Sequence, residues 1–339
     1  MSPDRINVAL IGAGRIGCIH AENLAFRIPG ANLVAVADII GEAADRAARD
    51  YSIPAAVQDY RSLLAREDVD AVVICSATDT HARIIGEAAA AGKHIFSEKP
   101  IDHDLARIDR ALAAVEAAGV KLQVGFNRRF DPNFQRMRDL VATGRIGQPH
   151  LLHITSYDPE PPPVEYVKVS GGIFLDMTIH DFDIARYLMG SEVEEVYVAG
   201  GVMVDPAIGA AGDLDTAVTV LRFASGAIGT IANSRRAVYG YDQRAEILGA
   251  AGGLSAGNNF PDQVTLMDGE AVQRSKPLHF FLERYAESYL REMRAFIEAV
   301  QQDRPVPVTG VDGRAPVVIG LAAWQSYREG RPVKLKTGE

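Results

Sequence analysis

One apolar segment of the sequence carries the side chains best suited to proton chemistry. The stretch GGIFLDMTIHDFDIARYLMG, residues 171–190, is nearly all apolar but contains Asp176, His180 and Asp183. An α-helix turns about 100° per residue, so these side chains and Tyr187 fall within a stripe about 60° wide. Three uses of such a stripe are open: a metal site, a proton relay and a solvated helix face.

The surroundings of this stripe favour the proton relay. Apolar residues fill most of the remaining helix circumference, interrupted mainly by Asp181 and Arg186, so we predict a buried helix. A solvated face would be wider and would carry lysine or glutamate. D-x-x-x-H-x-x-D supplies metal ligands from one face, but a neighbouring histidine or cysteine is lacking, and we expect no metal. We expect Asp183 and Tyr187 only to tie the helix to its neighbours.

A glycine-rich loop near the start of the chain predicts dinucleotide binding. VALIGAGRIGCIH, residues 8–20, places a G-x-G-x-x-G pattern between a strand pattern and a helix pattern. The first glycine permits a tight turn, the second lets the backbone approach a pyrophosphate, and the third allows the helix to pack closely on the strand. The predicted contacts in this loop are Gly12, Gly14, Arg15, Ile16 and Gly17.

The end of the second predicted strand favours NAD over NADP. The strand LVAVAD ends in Asp38, whose carboxylate is expected to hydrogen-bond the ribose hydroxyls. A carboxylate repels a 2′-phosphate, and Ile39 and Ile40 follow it without an arginine. We therefore predict an NAD site, with a nucleotide-free structural domain as the alternative.

Two further stretches lie where predicted strands end, which is where open α/β sheets bind ligands. The small and hydroxyl residues of CSATDTH, residues 75–81, suit a close approach of the cofactor, although Thr80 could instead cap a helix. SEKP, residues 97–100, places a lysine beside the predicted cofactor crevice. The predicted cofactor contacts here are Ser76, Thr78, His81, Glu98 and Lys99.

The elements that would position these residues change in type along the chain. Valine- and isoleucine-rich runs alternate with helical patterns over the first 125 residues, which predicts a parallel Rossmann sheet. Successive strands without intervening helices follow after about residue 148 and imply an antiparallel or mixed sheet. Helical patterns cover roughly 280–301 and 312–328, and residues 160–172 are expected to form a structured loop. We predict an α/β protein with two domains, residues 1–124 and 125–339.

Composition limits the class of partner. The net charge of −9 argues against nucleic acid and anionic membranes, so a small ligand is expected. Cys18 and Cys75 show no C-x-x-C spacing, which fits a reducing cytoplasm. A signal peptide is not indicated, and no apolar run approaches the roughly 18 residues that a membrane helix needs.

Taken together, three motifs resemble one family over essentially the whole chain. These are G-x-G-R-I-G at the N-terminus, E-K-P at 98–100 and G-G-x-x-x-D-x-x-x-H-D at 171–181. They are similar to the glucose–fructose oxidoreductase / inositol dehydrogenase (Gfo/Idh/MocA) family, and FNRRFD, DMTIHDFD and YGYD are most similar to its bacterial inositol 2-dehydrogenases. The resemblance implies a Rossmann domain followed by an α+β domain with an open, mostly antiparallel sheet, whose exposed face commonly forms dimers and tetramers.

The same resemblance implies a catalytic set of Lys99, Asp176 and His180, with a cis bond between Lys99 and Pro100. Histidine titrates near neutral pH, so His180 would accept the proton of a substrate hydroxyl while hydride passes to NAD. Asp176 would orient the imidazole, and Lys99 would favour alkoxide character on the substrate oxygen. The expected reaction is the NAD-dependent oxidation of a ring hydroxyl of inositol to the ketone.

The substrate itself stays open. The candidate substrate contacts, besides the catalytic set, are Asn127, Arg128, Asp158, Tyr239 and Tyr241, and strand packing is the alternative role for the two tyrosines. Two arginine pairs, residues 128–129 and 235–236, could instead bind a phosphate. Alternatives to myo-inositol are scyllo-inositol, an aldose such as L-glucose or D-glucose, and a sugar phosphate. A non-catalytic NAD-dependent sugar sensor is the alternative of another class.

Overall fold

The computed structural model describes residues 5–335 of the chain. Its backbone divides into two compact units, and each unit is assembled from two separate stretches of chain. The first unit contains the chain up to Phe130 together with Ser288–Ala315, and the second contains Asp131–Glu287 together with the chain from Pro316 onward. The predicted single boundary after residue 124 is therefore incomplete, because the chain returns to the first unit after residue 287.

The secondary structure alternates in the first 125 residues and becomes strand-rich after residue 148, as the sequence pattern predicts. The strands are Ile6–Ile11 (β1), Ala31–Ala37 (β2), Ala56–Val57 (β3), Ala71–Ile74 (β4), His94–Glu98 (β5), Leu122–Gly125 (β6), Pro149–Tyr157 (β7), Val193–Gly201 (β8), Thr216–Phe223 (β9), Ile228–Ser234 (β10), Asp242–Gly249 (β11), Gly252–Ala256 (β12), Thr265–Met267 (β13), Val272–Arg274 (β14) and Val333–Lys334 (β15). The α-helices are Arg15–Glu22 (α1), Gly41–Asp50 (α2), Arg61–Leu64 (α3), Thr78–Ala90 (α4), Leu105–Ala118 (α5), Pro132–Ala142 (α6), Val164–Val167 (α7), Gly172–Asp176 (α8), Thr178–Met189 (α9), Pro206–Ala210 (α10), Phe281–Arg284 (α11), Ala286–Gln301 (α12) and Gly310–Glu329 (α13).

The first unit is built on a six-stranded parallel sheet in the order β3-β2-β1-β4-β5-β6. Its central strands are buried on both faces, and the apolar runs of β1 and β4 reflect this. The strand order reverses between β1 and β4, so the carboxyl ends of these two strands border the switch point at which such sheets bind ligands. The predicted Rossmann fold is confirmed.

The return of the chain to the first unit is explained by the apolar face of α12. Leu290, Met293, Phe296 and Ile297 lie in one buried cluster with side chains of β1, β2 and β5. These four residues are spaced i, i+3, i+6 and i+7, which places them on one face of the helix. The sequence therefore encodes a buried face of α12 but does not show which unit covers it.

The second unit is built on a seven-stranded sheet in the order β12-β11-β7-β10-β9-β8-β15. Neighbouring strands are antiparallel except for β7 and β10, which run parallel, so the predicted mostly antiparallel sheet is confirmed. From residue 217 to residue 223 of β9 the side chains alternate between buried and exposed, and α9 packs against β7 and β10. One face of this sheet is therefore covered, whereas the other carries the exposed side chains of Tyr197, Val218, Val220 and Ile228.

Two local predictions need correction. The segment 171–190 is not one helix, because the backbone breaks at Met177 between α8 and α9. The hydroxyl of Thr178 donates to Asn233 Oδ1 at 2.9 Å just after the break, and this contact with β10 cannot be read from helical periodicity. The predicted loop at 160–172 also contains the short helix α7.

None of the helices described between residues 5 and 335 is long and apolar enough to span a bilayer.

Candidate active site

The three glycines of the loop after β1 meet three different steric demands. Gly12 has φ +99°, and a Cβ there would lie 2.6 Å from the carbonyl group of Cys75. A Cβ on Gly17 would lie 2.0 Å from the carbonyl oxygen of Gly12, so the helix can pack this closely only without a side chain. A Cβ on Gly14 would meet open space, and no side chain caps the start of α1. The loop therefore fits a pyrophosphate, since backbone N–H groups at a helix start bind anions.

Asp38 lies directly after β2 and is tied to the same loop. Its Oδ2 accepts a hydrogen bond from the backbone N–H of Ala13 at 2.7 Å, and its Oδ1 accepts one from Ile40 at 2.9 Å. Each carboxylate oxygen can accept a second hydrogen bond, so these contacts leave acceptor capacity for ribose hydroxyls. In the same loop, Arg15 is exposed and Ile16 is half-buried.

The junction of β4 and α4 contains the predicted residues Ser76, Thr78 and His81. Thr78 is the first residue of α4, and Ala77 occupies the N-cap position, so the alternative that Thr80 caps this helix is wrong. Thr80 lies within the first turn, where its hydroxyl bonds back to the Ala77 carbonyl at 2.6 Å. His81 is buried, and its ring nitrogens lie 2.8 Å from the Pro100 carbonyl oxygen and 2.9 Å from that of Ser76. His81 thus connects the end of β4 to the turn after β5.

The end of β5 places Glu98 and Lys99 differently. Glu98 is directed into the first unit, with its Oε1 2.8 Å from Nε2 of the buried His20. Lys99 is half-buried, and its peptide bond to Pro100 is cis, as the resemblance implies. Asn127 and Arg128 follow β6 in a short 3-10 helix, and both are almost fully buried.

In the second unit, the polar residues of α8 and α9 separate by burial. Asp176 and His180 are half-buried, whereas Asp181 and Asp183 are 0% exposed. Asp181 accepts a hydrogen bond from the Asn233 side chain at 2.8 Å, which fixes the first turn of α9 to β10. Asp176 and His180 are therefore partly accessible on helices that are otherwise mostly buried.

The carboxylate of Asp176 is held by residues that sequence reasoning did not place there. Its Oδ1 accepts a hydrogen bond from the Tyr166 hydroxyl at 2.9 Å, and its Oδ2 lies 3.4 Å from the Arg235 guanidinium. Arg235 also lies 3.4 Å from Asp213. Asp213 carries no periodic or motif signal, because it lies in the connection between α10 and β9.

The remaining predicted substrate residues lie around the connection between β10 and β11. Asp158 follows β7, and its backbone N–H donates to the Ser234 carbonyl at 2.9 Å. Tyr241 is buried and packs edge-on against Phe280 and Tyr285. Tyr239 and Tyr241 both lie between β10 and β11 and not on a strand. Packing within a strand, the alternative to substrate contact, is therefore the wrong description of their surroundings.

Tyr239 differs from Tyr241 in being 41% exposed. Its hydroxyl donates to Asp242 Oδ2 at 2.6 Å. Partial burial, together with this hydrogen bond and the charge of Asp242, raises the pKa of Tyr239 to about 12. The hydroxyl therefore stays protonated at neutral pH and retains the capacity to accept a hydrogen bond.

The residues with metal-binding geometry are not those of the predicted stripe. Within residues 5–335, one group of three His, Cys, Asp or Glu side chains brings its ligand atoms within 4.8 Å of one another, and it consists of His20, Glu98 and Glu292 in the first unit. Asp176, His180 and Asp183 form no such group among the described residues.

Comparison with protein-family models identifies both parts of the chain. Residues 6–126 match the model of an oxidoreductase family with an NAD-binding Rossmann fold, and residues 134–255 match the GFO/IDH/MocA C-terminal domain. The chain belongs to the GFO/IDH/MocA family. The resemblance carried by the three sequence motifs is thereby confirmed, and so is the assignment to NAD-binding oxidoreductases.

Three members of the family illustrate how far the likeness extends. The chain is 50% identical to the myo-inositol 2-dehydrogenase of Thermotoga maritima, over 98% of this chain and 99% of that protein. It is 46% identical to the inositol 2-dehydrogenase of Rhizobium meliloti, over 97% and 99%. The solved structure of scyllo-inositol dehydrogenase from Lactobacillus casei with bound NAD(H) and scyllo-inositol superposes with a TM-score of 0.92 at 31% identity, covering 98% of this chain and 99% of that one.

Proposed function

We propose that this protein is an NAD-dependent myo-inositol 2-dehydrogenase, which oxidises a ring hydroxyl of myo-inositol to the ketone. The observation that carries the proposal is the likeness to inositol dehydrogenases of Thermotoga maritima and Rhizobium meliloti over almost the whole chain. A fold shared at this level does not fix the substrate, so the individual residues have to support the chemistry.

The catalytic residues that we propose are Lys99, Asp176 and His180. When bound, NAD supplies the acceptor for the hydride that leaves the carbon bearing the hydroxyl. His180 accepts the hydroxyl proton, and Asp176, one turn earlier, orients the imidazole. Lys99 favours negative charge on the substrate oxygen. The partial accessibility of Asp176 and His180 supports these roles, because the neighbouring Asp181 and Asp183 are fully buried.

The proposed binding residues form one set for the cofactor and another for the substrate. For the cofactor we propose the glycine loop, Asp38, the β4–α4 junction and the end of β5, with NAD favoured by the carboxylate of Asp38. For the substrate we propose Asn127, Arg128, Asp158 and Tyr239 in addition to the catalytic residues. Tyr241 supports its neighbours by packing, since the residue is only 5% exposed.

A sugar phosphate is the less favoured substrate. Arg235 is 1% exposed and faces two carboxylates, while Arg129 is ion-paired with Asp312 at 3.0 Å. Each candidate phosphate-binding pair therefore has a member that is already engaged with a carboxylate. Scyllo-inositol is the alternative that a specific observation favours, because a structure with a TM-score of 0.92 is a scyllo-inositol dehydrogenase.

We also propose a cytoplasmic homo-oligomer, a dimer or tetramer formed through the second sheet. The uncovered face of that sheet supports this, because Tyr197 and Val220 pair across β8 and β9 and are 39% and 36% exposed. Apolar side chains in register on an open face are typical of an interface. Light scattering of the purified protein measures the mass, and a monomer would contradict the proposal.

The function is tested by following NADH formation with myo-inositol, scyllo-inositol, D-glucose, L-glucose and their phosphates. We expect the highest kcat/KM with myo-inositol and NAD, and a lower value with NADP. Lys99→Met and His180→Ala should each lower kcat by about a hundredfold or more while NADH binding is retained. Turnover of a sugar phosphate alone would contradict the substrate, and binding without turnover would indicate a sensor. Near-normal rates in either variant would contradict the residue roles.

A further inference from the structure

One arginine of the second unit is buried between two carboxylates. Arg235 follows β10 and is 1% exposed, which makes it one of the largest fully buried side chains of the chain. Its guanidinium nitrogens lie 3.4 Å from Asp176 Oδ2 and 3.4 Å from Asp213 Oδ2. Arginine suits this place because its planar guanidinium presents donors in several directions and stays charged when buried.

Asp213 fixes the far side of this arginine to the start of α8. Its Oδ1 accepts a hydrogen bond from the backbone N–H of Ile173 at 2.9 Å. A Cβ on Gly172 would lie 2.7 Å from the same oxygen, so the carboxylate approaches the backbone closely where that glycine has φ +76°. The backbone N–H of Arg235 donates to the Asp215 carbonyl at 2.8 Å. The arginine is thus anchored at its backbone and at its side chain.

The residue that this anchor reaches lies at the end of a short helix. Asp176 is the last residue of α8, and the helix breaks at Met177. A carboxylate is oriented by the hydrogen-bonding and charged contacts of its side chain. For Asp176 these contacts include the Tyr166 hydroxyl on one oxygen and Arg235 on the other.

We propose that Arg235, anchored by Asp213, is a positioning residue that holds the Asp176 carboxylate in the orientation in which it serves His180. The inference rests on the proposed function, in which Asp176 is catalytic. It assigns to Arg235 a role different from phosphate binding, because its guanidinium is buried and faces carboxylates. Asp213 serves the reaction only through Arg235 and touches neither substrate nor cofactor.

A double-mutant cycle between Arg235 and Asp176 tests the inference. We expect Arg235→Met to lower kcat by about a hundredfold, since a small misplacement of a catalytic group has effects of this size. In the Asp176→Asn background the same substitution should lower kcat by less than about twofold further, because the group that it positions is already gone. Arg235→Lys retains the positive charge but cannot contact Asp176 and Asp213 with separate nitrogens as the guanidinium does. We expect its kcat to lie between those of Arg235→Met and the wild type. NADH binding, followed by fluorescence, should be unchanged in all variants.

Arg186→Met is the matched control. Arg186 is also a buried arginine of the second unit, and its guanidinium is paired with Glu192 at 2.6 Å. We expect this variant to lose stability but to keep kcat within about twofold of the wild type.

The outcomes separate this inference from the proposed function. Equal losses from Arg235→Met in the wild-type and Asp176→Asn backgrounds would refute positioning and leave the function intact. Full activity of Asp176→Asn would refute the catalytic role of Asp176 itself. A crystal structure of Arg235→Lys gives a readout that needs no substrate, and we expect the Asp176 carboxylate to turn away from Tyr166. This readout remains available if the wild type turns over none of the tested sugars or if Arg235→Met does not fold. An Asp176 carboxylate that is not displaced in the Arg235→Lys crystal structure would then still overturn the inference.

Discussion

The two units bury their carboxylates in opposite ways. In the first unit, Glu292 is 0% exposed and, among the described residues, its carboxylate oxygens accept no hydrogen bond, while Glu98 next to it faces His20. In the second unit, Asp213 and Asp176 share the guanidinium of Arg235. We call the group of Glu292, Glu98 and His20 the proton-centred or first cluster, because a buried acid there is expected to hold a proton. The second cluster, Asp176, Asp213 and Arg235, contains a permanent positive charge.

The pKa of the buried acid is raised in both clusters, and the clusters differ in what opposes that rise. Burial raises the pKa of Glu292 well above its ordinary value, and the charge of Glu98 acts in the same direction. Burial also raises the pKa of Asp213, but the N–H groups of Ile173 and Leu214 and the charge of Arg235 oppose this. A buried acid without a cation becomes neutral, whereas a buried acid beside arginine can keep its charge. The catalytic carboxylate is proposed in the cluster that contains the cation.

Removing the cation should give the largest effect on stability. Arg235→Met leaves two carboxylates without their common partner, and we expect the free energy of unfolding to fall by about 3–5 kcal/mol. Trp324, the only tryptophan of the chain, lies in the second unit, and its ring packs edge-on against Phe174 in α8 with centroids 4.9 Å apart. Denaturant unfolding followed by its fluorescence therefore measures this change.

Arg244→Met provides the comparison for that measurement. Arg244 also pairs with a carboxylate of the second unit, Asp242, but its side chain is 45% exposed. Asp242 itself is buried, but it also accepts hydrogen bonds from the Tyr239 hydroxyl and the Asn258 amide, so it keeps two partners when Arg244 is removed. We therefore expect a loss of only about 1 kcal/mol, close to the range of partly exposed pairs. Similar losses in the two variants would mean that Arg235 does not compensate a buried charge.

The elements of the fold were predictable wherever a segment carried its own pattern. The valine- and isoleucine-rich runs of the first 125 residues form β1, β2, β4, β5 and β6, and the alternation along β9 marks a half-covered sheet. The two-residue strands β3 and β15 and the glycine-containing β12 were not predicted, because their pairing partners rather than their composition make them strands. The return of α12 to the first unit was missed for the same reason.

The residues of the candidate site likewise include some that the sequence reveals and others that only the folded chain brings together. The glycine loop, Asp38 and the stripe of Asp176 and His180 have spacings that a sequence reveals. Arg235 and Asp213 do not, since their relation to Asp176 exists only after the chain has folded. Glu292 is likewise indistinguishable in sequence from a surface residue of an amphipathic helix.

The next largest effect is expected from the proton-centred cluster and depends on pH. The folded protein binds the proton of Glu292 more tightly than the unfolded chain does. The stability that this contributes is complete below the ordinary pKa of 4.5 and is lost as the pH rises toward the raised folded value. Glu292→Gln cannot ionise, so its stability relative to the wild type should increase with pH, by at most about 1.4 kcal/mol per pH unit.

Thermal unfolding of the two proteins, followed by circular dichroism between pH 5 and 8, measures this difference. Using the difference removes the contribution of titrating groups that do not interact with Glu292, because the two proteins share them. We expect the melting temperature of Glu292→Gln to equal or exceed that of the wild type at pH 8. A difference that is independent of pH would show that Glu292 is ionised in the folded protein, and the contrast between the clusters would fail.

The smallest effect concerns the reactivity of the Cys75 thiol, which we expect Glu292→Gln to leave almost unchanged. Burial raises the pKa of Cys75 well above its ordinary value, and the neighbouring Glu98 adds to this. Because the thiolate is the reactive form, we expect iodoacetamide to modify Cys75 at pH 8 at least about tenfold more slowly than a free thiol. If Glu292 is neutral, Glu292→Gln replaces one uncharged side chain by another of the same size, and the rate measured by mass spectrometry should stay within about twofold. A clear acceleration would mean that Glu292 carries a negative charge close to Cys75, so the rate reports the charge of the first cluster directly.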